Sequence, residues 1–387
     1  MKKLIRITTV PVSLDKLLGN QLTFINQFYE VTAVSSDRKE LKRIARKYGV
    51  KNHHVDMTRK ISPFKDLVSV WYLYLFLRRQ KPEMVHSHTP KAGIVGMMAG
   101  WLAGVPYRFH TVAGLPLMEA VGMRRKLLNG VERLTYRFAT NVYPNSFELH
   151  NVILREQFCV SDKLKVLGQG SSNGIDTSFF GRDQISGEKL SKLRSKLGIL
   201  PEDFVYIFVG RLVGDKGINE LVCAFKKLND KNTGRNLKLL LVGNLEKALD
   251  PLKKETTKEI EANHDILTVG FKDDVRPYFA ISDALVFPSY REGFPNVVLQ
   301  SLAMEVPAIV TNISGCSEII TQEHNGIIVP VKDESALQQA MERLLIEPLL
   351  YAHLKETSRK SVEPYEQKML WEALLAEYRL VTGDGNT

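Results

Sequence analysis

The stretch DALVFPSYREGFPNVVLQSLAM, residues 283–304, passes from a strand (DALVFPS) through a turn (YREGFPN) into a helix (VVLQSLAM). Gly293 supplies the turn, and Pro295 stands where the helix should begin, a position at which a missing N–H is no loss. A helix start carries unpaired N–H groups and partial positive charge, so it attracts anions. Yet Glu292, itself an anion, stands just ahead of that start. A ligand that needs both a carboxylate and a positive helix end must have parts of different character.

The same alternation extends outward. FVYIFVGRL, NLKLLLVGN, ILTVGF, PAIVTNI and GIIVPV are strand-like, with INELVCAFKKLND as a helix after the first. Upstream, LIRITTV, EVTAVSS, MVHSH, YRFHTV and NVYPNS are strand-like. Between the second and third lie ELKRIARKYG and FKDLVSVWYLYLFLRRQ, with apolar residues at helical spacing. Strand–helix–strand order implies parallel sheets covered on both faces. Near residue 180, GSSNGIDTSFFGRDQISGEK is a linker by composition. The expected fold is therefore α/β: two doubly wound, Rossmann-like domains facing across a cleft, at residues 1–178 and 179–364. The amphipathic tail, as a helix over 365–387, is expected to pack back on the first domain. Ligands of such folds bind beyond the carboxyl ends of the strands.

The 387 residues, 44% of them hydrophobic, are enough for a full core in each domain. The 3 cysteines are widely spaced, with no CxxC pair or Cys/His ligand pattern, which suits a reducing cytoplasm and argues against a disulfide framework or a zinc module. MKKLIRITTVPVS reads as a first strand rather than a signal sequence. No run reaches the ~18–20 apolar residues of a membrane span. VSVWYLYLFL (68–77) and AGIVGMMAGWLAGV (92–105) read as buried helices. Net charge is +10, but the first ~180 residues carry about +14 and the rest about −4. One half should therefore face an anionic surface or ligand, for which nucleic acid and lipid headgroups are both candidates.

In FVGRLVGDKGINEL (208–221) a buried strand ends at Gly210, Arg211 leaves it, and Lys216 precedes Gly217 and a helix. Two cations at a strand end beside a helix start make a diphosphate clamp, Arg as a planar fork and Lys as a point charge; an ordinary solvated loop would read the same. Backbone N–H groups near 293–296 fit a phosphate or sugar oxygen. Glu292 can accept from sugar hydroxyls, or it can cap the helix or pair with Arg291. In TNISGCSEII (311–320), Gly315 and Ser317 lie at a strand-to-helix turn, with Glu318 a capping residue. In HSHTPKAGIVG (86–96), His86 and His88 share one face of a strand end, too few for a metal site. One of them fits a cleft-facing role and the other a core role, and Lys91 opens the next helix. Leu115, Leu117, Met118, Val121 and Met123, beside the basic run 124–126, suit an interfacial segment on anionic lipid, or an amphipathic helix with a solvated basic face.

VGRLVGDKG, followed by GFKDDVRPYFAISDALVFPSYREGFPNVVLQSLAMEVPAIVTNISGCSEII, resembles the donor half of the family 4 glycosyltransferases, which are retaining, metal-independent enzymes of GT-B fold. HSHTPKAG with HTVAGL resembles the capsule and O-antigen subgroup, which adds sugars to lipid-linked saccharides. The resemblance covers nearly the whole chain. It implies that Arg211 and Lys216 hold the leaving diphosphate and that Glu292 grips the transferred sugar. Gly210 belongs to the same donor-binding set. Gly293, Phe294, Pro295 and Asn296 would form the loop meeting sugar and phosphate. The base would lie near Val269, Gly270 and Phe271, with Thr111 to Gly114 approaching the sugar from the other domain. Two positions depart from the pattern. Gln300 stands where the second glutamate of an E-x7-E motif meets the ribose, and Ala113 replaces a histidine common in relatives, whose role could fall to His88.

The resemblance thus implies sugar transfer from a nucleotide diphosphate sugar, UDP-N-acetylhexosamine or a deoxy form, to an undecaprenyl-diphosphate saccharide. It implies no metal or other cofactor, no nucleic acid partner, and a cytoplasmic, peripheral position on an anionic membrane. A nucleotide-sugar epimerase of the same architecture and a non-catalytic sugar-nucleotide-binding partner are the competing readings.

Overall fold

The computed structural model describes residues 1–58, 62–115, 117, 120–231, 234–246 and 250–383. Short runs rich in Ile, Val, Leu and Thr form most of the strands, since branched side chains fit a pleated surface covered on both faces. In the first half these are β1 (Lys3–Ile7), β2 (Glu30–Ser35), β3 (Lys51–His54), β4 (Met84–Ser87), β5 (Tyr107–Val112) and β6 (Asn141–Pro144). They pair in parallel in the order β3-β2-β1-β4-β5-β6. In the second half are β7 (Phe204–Val209), β8 (Leu237–Val242), β9 (Ile266–Gly270), β10 (Ala284–Phe287), β11 (Ala308–Thr311) and β12 (Gly326–Val329). Their order is β12-β11-β10-β7-β8-β9, again all parallel.

Both sheets have one winding. The chain moves outward over three strands, returns past the first, and moves outward the other way. The reversal lies between β1 and β4 in one sheet and between β7 and β10 in the other. Helices leave the two strands toward opposite faces there, which opens a crevice beyond their carboxyl ends. β3 does not appear among the strand-like runs of the sequence, because Lys-Asn-His-His has no apolar signal. It is a partly exposed edge strand and needs none.

The chain divides into two compact units, Met1–Gly174 with Gln367–Thr387, and Ile175–Glu366. In the second unit the central strands are almost wholly buried, including Val205, Ile207, Leu240, Leu285 and Ile309. In the first, one apolar cluster includes Ile5, Val85 and Val95, and another includes Leu4, Val31 and Phe109. The latter is completed by Leu374, Leu375 and Tyr378 of the last helix, Gln367–Thr382. The stretch that composition marks as a linker is anchored: Ile175 is buried and bridges to Glu366, whose carboxylate accepts from the Thr177 hydroxyl at 2.7 Å.

The reading of VSVWYLYLFL as a buried helix needs correction, and that of AGIVGMMAGWLAGV holds. VSVWYLYLFL belongs to the helix Pro63–Gln80, which buries only one side, through Ser69, Val70, Leu73 and Leu77, and leaves Leu67, Val68, Trp71 and Tyr72 exposed. Its composition is apolar all round, so periodicity could not tell a half-covered helix from a buried one. AGIVGMMAGWLAGV lies largely buried in the helix Pro90–Leu102, with Trp101 and Leu102 exposed at its end. In the segment expected at a lipid interface, Leu115 and Leu117 are core residues, Val121 and Met123 are exposed, and Met118 lies outside the described residues. Among the described residues no helix is long and apolar enough to cross a membrane.

Candidate active site

The site assembles at the β7/β10 reversal. β7 ends at Val209, so Gly210 and Arg211 emerge beyond the carboxyl edge of the sheet. One 3-10 turn, Gly214–Lys216, follows, and Gly217 then opens the helix Ile218–Asp230. From β10, the chain runs through Pro288–Pro295 into the helix Asn296–Ala303. These two connections touch: the Tyr290 N–H donates to the Asp215 carbonyl at 2.9 Å. Gly217 has φ of 69°, and a Cβ there would lie 2.1 Å from the Pro288 carbonyl oxygen, so only glycine permits the approach.

That approach puts the Lys216 ammonium in direct ion-pair contact with the Glu292 carboxylate, 76 positions away in the chain. Both side chains are largely buried, at 16% and 19% exposed. The Ser289 hydroxyl donates to the same carboxylate at 3.1 Å, and Lys216 also lies 5.9 Å above the Phe287 ring. Arg291 reaches Asp215 at 3.0 Å. The helix Asn296–Ala303 has Pro295 at its N-cap and no side-chain cap, so Glu292 is not its cap. Arg211 pairs instead with Glu246, beyond β8, at 2.6 Å. The two expected clamp cations thus leave the same sheet edge, and each is matched to a different carboxylate. A polyanion that enters competes with Glu292 and Glu246 for them.

Around this centre, the Gly243 N–H donates to the Gly270 carbonyl at 3.0 Å and the Phe271 N–H to Asn244 Oδ1 at 3.1 Å, which ties the ends of β8 and β9 together. Val269 is in β9, and the Phe271 ring is exposed beside it. Gly293 and Phe294 are held from the third connection. Gly315 has φ of 74°, and a Cβ on it would sit 2.4 Å from the Gly293 carbonyl oxygen. Phe294 turns its ring into the core, 5.3 Å from Tyr365, so this segment offers backbone rather than side chain. Asn296 begins the helix, and Gln300 lies one turn on along the same face. Glu318 sits in the four-residue helix Cys316–Ile319, which has no side-chain cap. Cys316 is buried, and burial, then the nearby Glu292 charge, pushes its thiol far up, so it is no nucleophile.

In the first unit, His86 and His88 both lie buried, rings 4.1 Å apart. Fully buried Arg6 donates to the Tyr378 hydroxyl at 3.1 Å, Tyr378 bonds His86 Nδ1, and His86 Nε2 bonds the Thr111 hydroxyl at 2.8 Å. Burial and the Arg6 charge hold both imidazoles neutral. With the Tyr378 oxygen accepting from Arg6, its proton goes to Nδ1, and Nε2–H then donates to Thr111. His88 and Thr111 line a cavity of about 20 Å³, and His88 Nε2 is buried without a partner. His110 bonds Ser87 at 2.8 Å instead. Gly114 lies just past β5. Lys91 pairs with Asp66. Sequence reasoning missed Asp215, Ser289, Arg6 and Tyr378; Asp215 and Ser289 carried a signal, lying within the VGDKG and SYREGFPN runs.

Residues 191–361 match the family Glycosyl transferases group 1, and residues 24–170 match the Glycosyl transferase 4-like domain. The capsular polysaccharide biosynthesis glycosyltransferase CapM of Staphylococcus aureus is 33% identical over 379 residues, covering 97% of each chain. The chain is a family 4 glycosyltransferase. A second relative of this glycosyltransferase is the Escherichia coli UDP-Gal:alpha-D-GlcNAc-diphosphoundecaprenol alpha-1,3-galactosyltransferase, 28% identical over 80% of this chain and 78% of the other. Among solved structures, HepE of Anabaena, in complex with UDP and glucose, superposes with a TM-score of 0.82 at 17% identity, covering 98% of this chain and 100% of that one. Its likeness supports the GT-B fold. The enzyme is thus of the capsule and O-antigen type, as its sequence motifs suggest.

Proposed function

We propose that the enzyme transfers a sugar, N-acetylhexosamine or a deoxy form, from a UDP-sugar to a lipid-diphosphate-linked saccharide, with retention at the anomeric carbon and without a metal. The observation that carries this reading is the meeting of Lys216 and Glu292 beyond β7 and β10, with Arg211 at the same sheet edge. The unit Ile175–Glu366 would hold the donor. Lys216 and Arg211 take the diphosphate, Glu292 released from Lys216 accepts from hydroxyls of the sugar, and the Gly293–Asn296 backbone meets sugar and phosphate. Gly270 and Phe271 lie beside the base, and Gln300 bonds the ribose as a neutral amide. The bond from the anomeric carbon to phosphate oxygen breaks as the bond to the acceptor oxygen forms. The acceptor's proton passes to the departing phosphate on the same face, and the cations stabilise the charge that develops there.

The first unit would serve the acceptor, with His88 and Thr111 near it. The chemistry of the two relatives supports an acceptor of this class, since one is named for capsule synthesis and the other for transfer to a diphosphoundecaprenol sugar. Such an acceptor keeps the enzyme peripheral at an anionic membrane. The test is a screen of UDP-sugars against a lipid-diphosphate monosaccharide, read by mass, with and without EDTA. Product with one donor, insensitive to EDTA, is expected. An isomerised nucleotide sugar formed without acceptor would replace this reading with an epimerase.

A further inference from the structure

The helix Pro63–Gln80 carries an apolar stripe that the other described residues leave uncovered. Phe64 is 87% exposed, and Leu67, Val68, Trp71 and Tyr72 are 54–62% exposed. Their spacing places them along one side for two turns. The same side ends in Arg78 and Arg79, one heptad beyond Trp71 and Tyr72, and both are exposed. Lys65 stands exposed at the other end. The helix has one acid, Asp66, and Lys91 neutralises it. Beside the stripe a groove of about 700 Å³ is lined by Tyr72 and Phe76, and by Arg38, Arg79 and His53. It pairs an apolar wall with two arginines against a single acid, Asp56, which lies 3.1 Å from His54.

We infer that this helix face is a docking surface for an anionic phospholipid bilayer. Trp71 and Tyr72 have apolar bodies and polar tips, suited to the headgroup level, while Phe64, Leu67 and Val68 enter the acyl boundary. Arg78, Arg79 and Lys65, with Arg38 in the groove, meet lipid phosphates. Charge selects a bilayer over a second copy: a two-fold contact through this face would set cations against their own kind, in a unit whose first ~180 residues already carry about +14. The inference deepens the proposal that the acceptor is membrane-held and rests on it for its purpose, but its test uses no acceptor.

The full chain is sedimented with vesicles of phosphatidylcholine containing 30 mol% phosphatidylglycerol, alongside phosphatidylcholine alone. Binding to the anionic vesicles only is expected. Leu67→Ser with Trp71→Ser should weaken it about tenfold, and Arg78→Glu with Arg79→Glu should do so similarly at low salt. In a Trp101→Phe, Trp371→Phe background, Trp71 emission should shift to the blue on binding. A denaturant melt followed through Trp101 and Trp371, both in the same unit as the substitutions, checks that the variants are folded. Unchanged vesicle binding by both double variants, or a concentration-dependent dimer that the Leu67→Ser, Trp71→Ser variant abolishes, would overturn the inference. Vesicle binding without any turnover of lipid-linked acceptors would instead sink the proposed function and leave this surface standing.

Discussion

Lys216→Met isolates the central contact of the site. The substitution keeps the stem and removes the charge, leaving the Glu292 carboxylate four-fifths buried with the Ser289 hydroxyl beside it. Truncating one partner of a fully buried pair costs about 3–5 kcal/mol, and an exposed pair is worth about 0–1. At 16% and 19% exposure, we expect a loss of about 2 kcal/mol. For a domain of this size that lowers the melting temperature by about 4–8 °C. Glu292→Gln, which removes the acid, should cost about half as much. The double variant should be more stable than Lys216→Met alone, with a coupling of about 1–2 kcal/mol. Turnover should behave differently. Losing the ammonium removes stabilisation of the leaving diphosphate, worth about 10²–10³ in kcat/KM, and restoring stability with Glu292→Gln should restore none of it. Denaturant melts and steady-state kinetics on the four proteins decide the matter. Lys216→Met turning over within about threefold of the parent, or turnover recovering together with stability, would show that the pair is structural only.

Gly217→Ala should destabilise the second unit by about 3 kcal/mol or more, since its Cβ meets a backbone carbonyl at φ of 69°; Gly198→Ala, at φ of 65° in open space, should cost about 1 by the same melt. Gln300→Glu should lower KM for the UDP-sugar about threefold, because a charged acceptor bonds a diol more strongly than an amide does; an unchanged KM and UDP affinity would remove Gln300 from the ribose. Burial pushes Glu132 up to about 7, so its stabilisation is present below the ordinary 4.5 and is lost as pH rises through 7. Burial also holds His110 down to about 4, so its stabilisation is present above 6.5 and is lost as pH falls toward 4. The two oppose each other over one window. Glu132→Gln should therefore raise stability at pH 8, by on the order of 3 kcal/mol, and leave a steeper fall below pH 6.5. All three tryptophans, Trp71, Trp101 and Trp371, lie in the first unit, so their fluorescence reads this transition selectively.

The strand runs of both sheets were legible because a strand covered on both faces needs an apolar run whatever its neighbours. β3 was not, since an edge strand can be polar. The segments around Arg211, Lys216 and Glu292 were legible as strand ends followed by helix starts, but their pairing was not. Nothing local says that Lys216 meets Glu292 while Arg211 turns to Glu246; that follows from β7 and β10 being neighbours. The chain Arg6–Tyr378–His86–Thr111 joins residues more than two hundred positions apart, beyond any periodicity or spacing rule. The exposed side of the helix Pro63–Gln80 was hidden for the opposite reason: apolar residues on every side report no direction.

The last helix has a consequence for synthesis. Tyr378, Leu374 and Leu375 complete an apolar cluster whose other members come from the first half of the chain. The unit Ile175–Glu366 is contiguous, so all of it is made before the helix Gln367–Thr382. The unit begun first must wait, its Arg6 without the Tyr378 hydroxyl, until the helix Gln367–Thr382 has left the ribosome. The two units thus mature in the reverse of the order in which they are begun, and loss of that late helix injures the half encoded first.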